Sequence, residues 1–168
     1  QKVQQGHPFP TPKTTLKNVQ SQISNLKQQG PHPALGIDHG DARIGLAATD
    51  DFGILAHPVE TVDNTRGEHA AIQRIAEVAA MRGIRTLVVG LPVRLDGSEG
   101  SAAAKVRAFA SRLQTQIPSI PLVFSDETLT TAAATEKLRQ AGRKTHRHRE
   151  VIDQAAAVEI LNTWMGNP

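Results

Sequence analysis

Asp38 closes an apolar run, Ala34–Ile37, and is followed at once by His39 and Gly40. Asp126 and Glu127 follow a second apolar stretch in "PLVFSDETLTT", and Asp153 stands near the start of a helical pattern in "REVIDQAAAVEIL". Carboxylates gathered at one place repel one another unless a cation lies between them. Hard divalent ions such as Mg²⁺ or Mn²⁺ take oxygen ligands and keep several waters. Two such ions about 3.5–4 Å apart activate an attacking water and stabilise the leaving oxygen of a phosphodiester. Three acids supply that chemistry without help from another residue type. Each acid also has a plainer reading. Asp38 suits a turn, and Asp126, Glu127 or Asp153 suits a helix N-terminus. Three such caps on one edge of one sheet are a less natural outcome than a site.

The elements that would carry these acids follow from periodicity and punctuation. Ala34–Asp38, Arg43–Thr49 and Ile54–Val62 read as strands separated by the short polar breaks of antiparallel hairpins. Thr65–Arg82 reads as a helix with Ile72, Ile75, Ala76 and Ala79 on one face and Gly83 as its stop. Arg85–Gly90 is a strand of the kind buried on both faces, and Leu91–Gly100 a loop. Ser101–Gln116 and Leu129–Ala141 read as helices around a fifth strand, Ile120–Ser125. Gly142–Arg149 is a basic connector, and Glu150–Met165 a last helix. Hairpin-linked strands followed by right-handed βαβ crossovers make a five-stranded mixed α/β sheet with helices on both faces.

In such sheets ligands bind beyond the carboxyl ends of parallel strands. If the first, fourth and fifth strands run parallel, Asp38 shares that edge with the Asp126–Glu127 pair. Asp153, Ala157 and Ile160 share one helical face. The small residues Ala155–Ala157 would let that face approach the sheet. Gly36 and Gly40 are expected to keep bulk away from a phosphate approaching Asp38.

With 168 residues the chain has room for one substantial domain. Residues 1–33 are rich in Gln, Pro and Thr and read as an extension, with a short amphipathic helix over Thr14–Gln29; residues 34–168 form the domain proper. The start at Gln1 suits a processed or trimmed chain, and no secretory signal pattern is visible. No cysteine is present, which removes disulfides, thiol catalysis and cysteine-ligated metals. No apolar run approaches the about 20 residues of a membrane span, so a cytoplasmic protein away from membranes is expected. Four Phe, one Trp and no Tyr make a stacking platform for single-stranded bases unattractive.

"LGIDHGDARIGLAATDDFGILAHPVETV", "LVVGLPVRLDGSEG", "SDETLTTAAATEKLRQAG" and "VIDQAAAVEIL" resemble, in order and spacing, the motifs of the YqgF/RuvX family. The resemblance runs from Ala34 to about Met165. It implies an RNase H-like fold with sheet order 3-2-1-4-5. It also implies nuclease activity, described for the family as pre-16S rRNA processing and as Holliday-junction resolution. By resemblance the catalytic, metal-holding acids are Asp38, Glu127 and Asp153, with Mg²⁺ or Mn²⁺ as cofactor. Asp126 then supports the turn or the groups that surround the site. The family usually has Arg after its acid pair, whereas this chain has Thr128, so that position lacks an arginine's contact to a carboxylate or phosphate. His39 stands where relatives often differ and reads as a partly exposed turn residue beside the site, the alternative being a contact to the scissile phosphate or a proton shuttle.

A phosphate-backbone role falls to Arg43, Gly90 and Arg94 and to the basic cluster Arg139, Arg143, Lys144, Arg147 and Arg149. The loop through Asp96, Gly97 and Gly100 is expected to offer backbone amides. The leading expectation is a hydrolase acting on structured precursor rRNA, as a monomer or homodimer. The alternatives are a nuclease of branched or other DNA, and a non-catalytic RNA-binding domain. An actin-like ATP site would need a second domain, for which the chain has no room.

Overall fold

The computed structural model describes residues 30–94, 96–128 and 146–166. The expected helices over Thr14–Gln29 and Leu129–Ala141 lie outside the described residues, as do Arg139, Arg143 and Lys144. The strands are β1 (Ala34–His39), β2 (Arg43–Thr49), β3 (Ala56–Asp63), β4 (Thr86–Val93) and β5 (Leu122–Thr128). The helices are α1 (Glu68–Met81), α2 (Ser101–Gln116) and α3 (His146–Met165). The sheet order is β3-β2-β1-β4-β5. β1 is antiparallel to β2 and β2 to β3, while β1, β4 and β5 run parallel.

Central strands covered on both faces must be apolar throughout. Ala34–Ile37 and Thr86–Leu91 are accordingly buried without interruption. One face packs Leu35, Ile37, Ile44, Leu46, Leu87 and Val89 against α1 and α2. α1 buries Ala71, Ile72, Ile75, Val78 and Ala79, the stripe of a helix with one covered side. It ends where Gly83, at φ 60°, lets Ile84 N–H donate to Ala79 C=O and Gly83 N–H to Ala80 C=O.

The opposite face packs Ala34, Ala47 and Val88 against Ala157, Ile160 and Leu161 of α3. Small sheet residues bring α3 close. A Cβ on Gly36 would stand 2.6 Å from the Leu161 side chain and 2.7 Å from the Ala157 carbonyl oxygen. Gly36 therefore serves helix packing, not the approach of a phosphate. Gly40 acts elsewhere, since its N–H donates to Arg43 C=O at 3.0 Å and closes the β1–β2 turn. Leu161 is fully buried in this second core. Leu161→Ala is expected to cost about 2–5 kcal/mol, and each kcal/mol lowers the melting temperature by about 2–4 °C in a chain of this size. Thermal unfolding followed by circular dichroism checks this.

Several boundaries differ from expectation: β3 starts at Ala56 where a strand from Ile54 was expected, α1 at Glu68 and not Thr65, and β5 at Leu122 and not Ile120, and three further differences bear on the site. β4 continues beyond Gly90 through Leu91–Val93 because β5 keeps pairing with it, as far as Val93 opposite Thr128. Gly90 is thus a buried strand residue, and Leu91–Val93 are not loop. Asp126 and Glu127 lie inside β5 instead of after it. α3 starts at His146 and absorbs the end of the basic connector.

Candidate functional site

The alternation of a strand decides which acids share a face. In β1, Leu35 and Ile37 enter the core under α1 and α2, whereas Ala34 enters the core under α3. Asp38 has the parity of Ala34 and Gly36, and so belongs to the α3 face. It is half-buried and stands opposite Gly45 of β2. In β5, Leu122 and Phe124 pack toward α1 and α2, while Val123 packs toward α3 and Ser125 Oγ donates to the Ile160 carbonyl at 3.4 Å. The backbone register gives residue 127 the parity of Val123 and Ser125, opposite Pro92 of β4. Asp126 has the other parity. It is exposed, and its charge acts on Arg107 of α2, whose guanidinium lies 4.7 Å from the Phe124 ring centroid. Asp126 thus belongs to the opposite side of the sheet and is no part of a turn.

Asp153 reaches the same face from α3. A Cβ on Gly45 would fall on the Asp153 carbonyl group, so the backbone of α3 rests directly on β2 beside the partner of Asp38. Arg43, at the start of β2, donates from Nε to Asp153 Oδ2 at 2.6 Å. Their side chains are only 24% and 14% exposed. Thr61 of β3 secures the same turn of helix. Its hydroxyl donates to the Glu150 carbonyl at 3.1 Å and accepts from Gln154 Nε2 at 3.3 Å. Neither Gly45 nor Thr61 is among the candidate residues that the sequence motifs single out. A glycine inside a strand marks a close backbone approach, which was the available signal for Gly45. Thr61 carried none.

Oxygen donors of this kind suit a hard divalent ion. Gly45 links the two acids: it is the strand partner of Asp38, and its open face receives the backbone of Asp153. Asp153 Oδ2 is held by Arg43, and valence leaves Oδ1 as a further acceptor. Among the described residues no cluster of three or more acids and histidines forms a metal cage. The side chain of Glu127 is outside those described. The donor chemistry fits a divalent ion that keeps several waters.

The remaining candidates are placed differently. His39 lies on the α1–α2 face, its ring 4.4 Å from that of Phe109. Burial pushes its pKa below the ordinary imidazole value, against the opposing pull of Glu68 and Asp41. Its Nε2 is buried with no hydrogen-bond partner among the described residues. The ring borders a cavity of about 350 Å³ with Asn64, Glu68, Lys105 and Arg112. The structure therefore does not bring the His39 ring together with Asp153. Arg94 is exposed, and the turn after it uses its own amides: Arg94 N–H donates to Ser98 C=O and Gly97 N–H to Arg94 C=O. Those two amides are not offered to a phosphate. The N–H groups of Gly90, Leu91 and Val93 lie in strand paired with β5, and Pro92 has none. Arg147 and Arg149 lie in α3 within two turns before Asp153, and Thr128 ends β5 opposite Val93.

A model of the RuvX family, described as Holliday junction resolvase, matches residues 32–167. A Nocardioides protein named "Putative pre-16S rRNA nuclease" is 50% identical over 129 residues, covering 76% of this chain and 83% of that one. Proteins of the same name from Nocardia farcinica and Streptomyces coelicolor are 48% and 50% identical, over 78% and 76% of this chain and 76% and 75% of their own. Among solved structures, T. thermophilus RuvC in complex with Holliday junction substrate gives a TM-score of 0.45 at 17% identity, over 80% of this chain and 96% of that one.

Proposed function

The chain belongs to the RuvX family, described as Holliday junction resolvase, and from that footing we propose that it is a metal-dependent endonuclease for structured RNA, acting in 5′-end maturation of pre-16S rRNA. The observation that carries the reading is the seating of Asp153 on Gly45, the strand partner of Asp38. It gathers two carboxylates on one sheet face at the carboxyl end of β1. Asp38, Glu127 and Asp153 hold one or two Mg²⁺ or Mn²⁺ ions. A bound ion of this type supplies positive charge to the scissile phosphate and lowers the pKa of a coordinated water. The chain's own part is to fix the acids on rigid strands and on a helix pinned by Thr61 and Gly45. The basic residues at the start of α3, Arg147 and Arg149, together with Arg94, take the phosphate backbone. The names carried by the relatives favour precursor rRNA, a substrate met in the cytoplasm. The family description favours branched DNA as a second reading.

One assay separates these readings. The protein is incubated with precursor 16S rRNA ends, a four-way DNA junction and single-stranded controls, in Mn²⁺, Mg²⁺ or EDTA. Cleavage of the rRNA ends that EDTA stops is the expected result. Cleavage of the junction alone replaces the RNA reading by the DNA one. Cleavage that persists in EDTA removes the metal.

A further inference from the structure

Arg43 was expected to bind phosphate, but its Nε is committed to Asp153 Oδ2 at 2.6 Å. A charge-assisted bond of that length, between side chains largely withdrawn from water, is strong and little screened by salt. Both ends are fixed. Arg43 begins β2 opposite Asp63, and Asp153 sits on an element whose backbone touches Gly45 two residues further along β2. The bond uses one of the five guanidinium N–H donors and one of the two carboxylate oxygens.

We propose that Arg43 is a positioning residue for the cation site: it holds Asp153 by one oxygen, fixes the direction of the other, and balances charge that a bound divalent ion would otherwise balance. The inference rests on the metal-dependent reading above. Arg43 thereby improves the geometry of Asp153 while competing with the ion for its charge. These two effects act in opposite directions on measurable quantities. A guanidinium is required because its planar Nε–H fixes a carboxylate in direction, whereas a lysine ammonium supplies only a point charge.

The test is Mn²⁺ titration calorimetry and steady-state cleavage on the wild type, Arg43→Gln and Arg43→Lys, with Asp38→Asn as the control that identifies the site. A guanidinium beside Asp153 repels a cation approaching the same carboxylate, and the repulsion weakens with distance and with the dielectric between them. Arg43→Gln removes it and should bind Mn²⁺ about three- to thirtyfold more tightly. Its kcat should fall at least about tenfold with KM for the nucleic acid little changed, which is the mark of lost transition-state alignment. Arg43→Lys should keep the wild-type Mn²⁺ affinity and still lose kcat. Unchanged or weaker Mn²⁺ binding by a folded Arg43→Gln, while the wild type binds, overturns the inference alone. A raised KM with unchanged kcat in both variants also overturns it and returns Arg43 to phosphate binding. If Arg43→Gln does not fold, wild-type kcat in Arg43→Lys is enough to reject it. A wild type with no Mn²⁺ binding sensitive to Asp38→Asn overturns both the metal reading and this one.

Discussion

Replacing Asp38 by Asn is expected to abolish metal-dependent cleavage while leaving the fold in place. The substitution keeps the shape of the side chain and removes its charge. Its neighbours Ile37 and Leu35 anchor β1 in the main core whether or not residue 38 is ionised. The charge matters to a cation, and stabilisation by a metal is worth several kcal/mol. At about 1.36 kcal/mol per decade, the rate should fall by at least about 100-fold. A thermal shift separates this from unfolding. A ligand at 100 times its dissociation constant stabilises the native state by about 2.7 kcal/mol. Saturating Mn²⁺ should therefore raise the wild-type melting temperature and leave that of Asp38→Asn unmoved. Cleavage by Asp38→Asn at the wild-type rate would sink the proposed assignment of this acid.

Gly45→Ala is expected to damage stability and activity together. The added methyl would enter the backbone of Asp153, where no flexible side chain can move aside. Either α3 lifts from the sheet or β2 bends, and both elements carry the core that joins Ala47 to Ala157 and Leu161. Overpacking of this sort costs about 1–3 kcal/mol and occasionally more. Because the clash is with backbone, we expect the upper end, about 6–12 °C in melting temperature. Asp153 should move with the helix, so cleavage should fall more than lost folded protein accounts for. Gly30→Ala is the control, since a Cβ there meets nothing within 4 Å among the described residues. A Gly45→Ala protein with wild-type melting and wild-type rate would mean that α3 does not rest on β2 in solution.

The Gly45 contact also marks where the sequence stopped informing. The positions of β1, β2 and α2 were readable because apolar periods there are bounded by clear turn residues. Ser101–Gln116 agrees to the residue. Gly83 was legible as a helix stop because it adopts a backbone conformation that a side chain would strain. The sequence ends β4 too early because Pro92, Gly97 and Gly100 look like loop signals. Beyond Val89 that strand is paired with β5 and no longer with β1. A residue without an N–H is tolerated where one side of the ladder is open.

What the sequence determined by itself was the set of elements and the presence of acids at strand ends. Both depend on local pattern: alternation, helical stripes and the residues that interrupt them. The face each acid occupies was decided only in three dimensions. Extending β5 to Thr128 keeps Asp126 in paired strand with the parity of Phe124, and so on the side of the sheet away from α3, a placement lost if the strand ends at Ser125. His39, next to Asp38 in the chain, turns toward Phe109 for the same reason. Arg43 and Asp153 are 110 positions apart, and their bond depends on α3 crossing β2 at a glycine. A one-dimensional pattern carries no information about such a crossing, because it is fixed by how closely two packed backbones can approach.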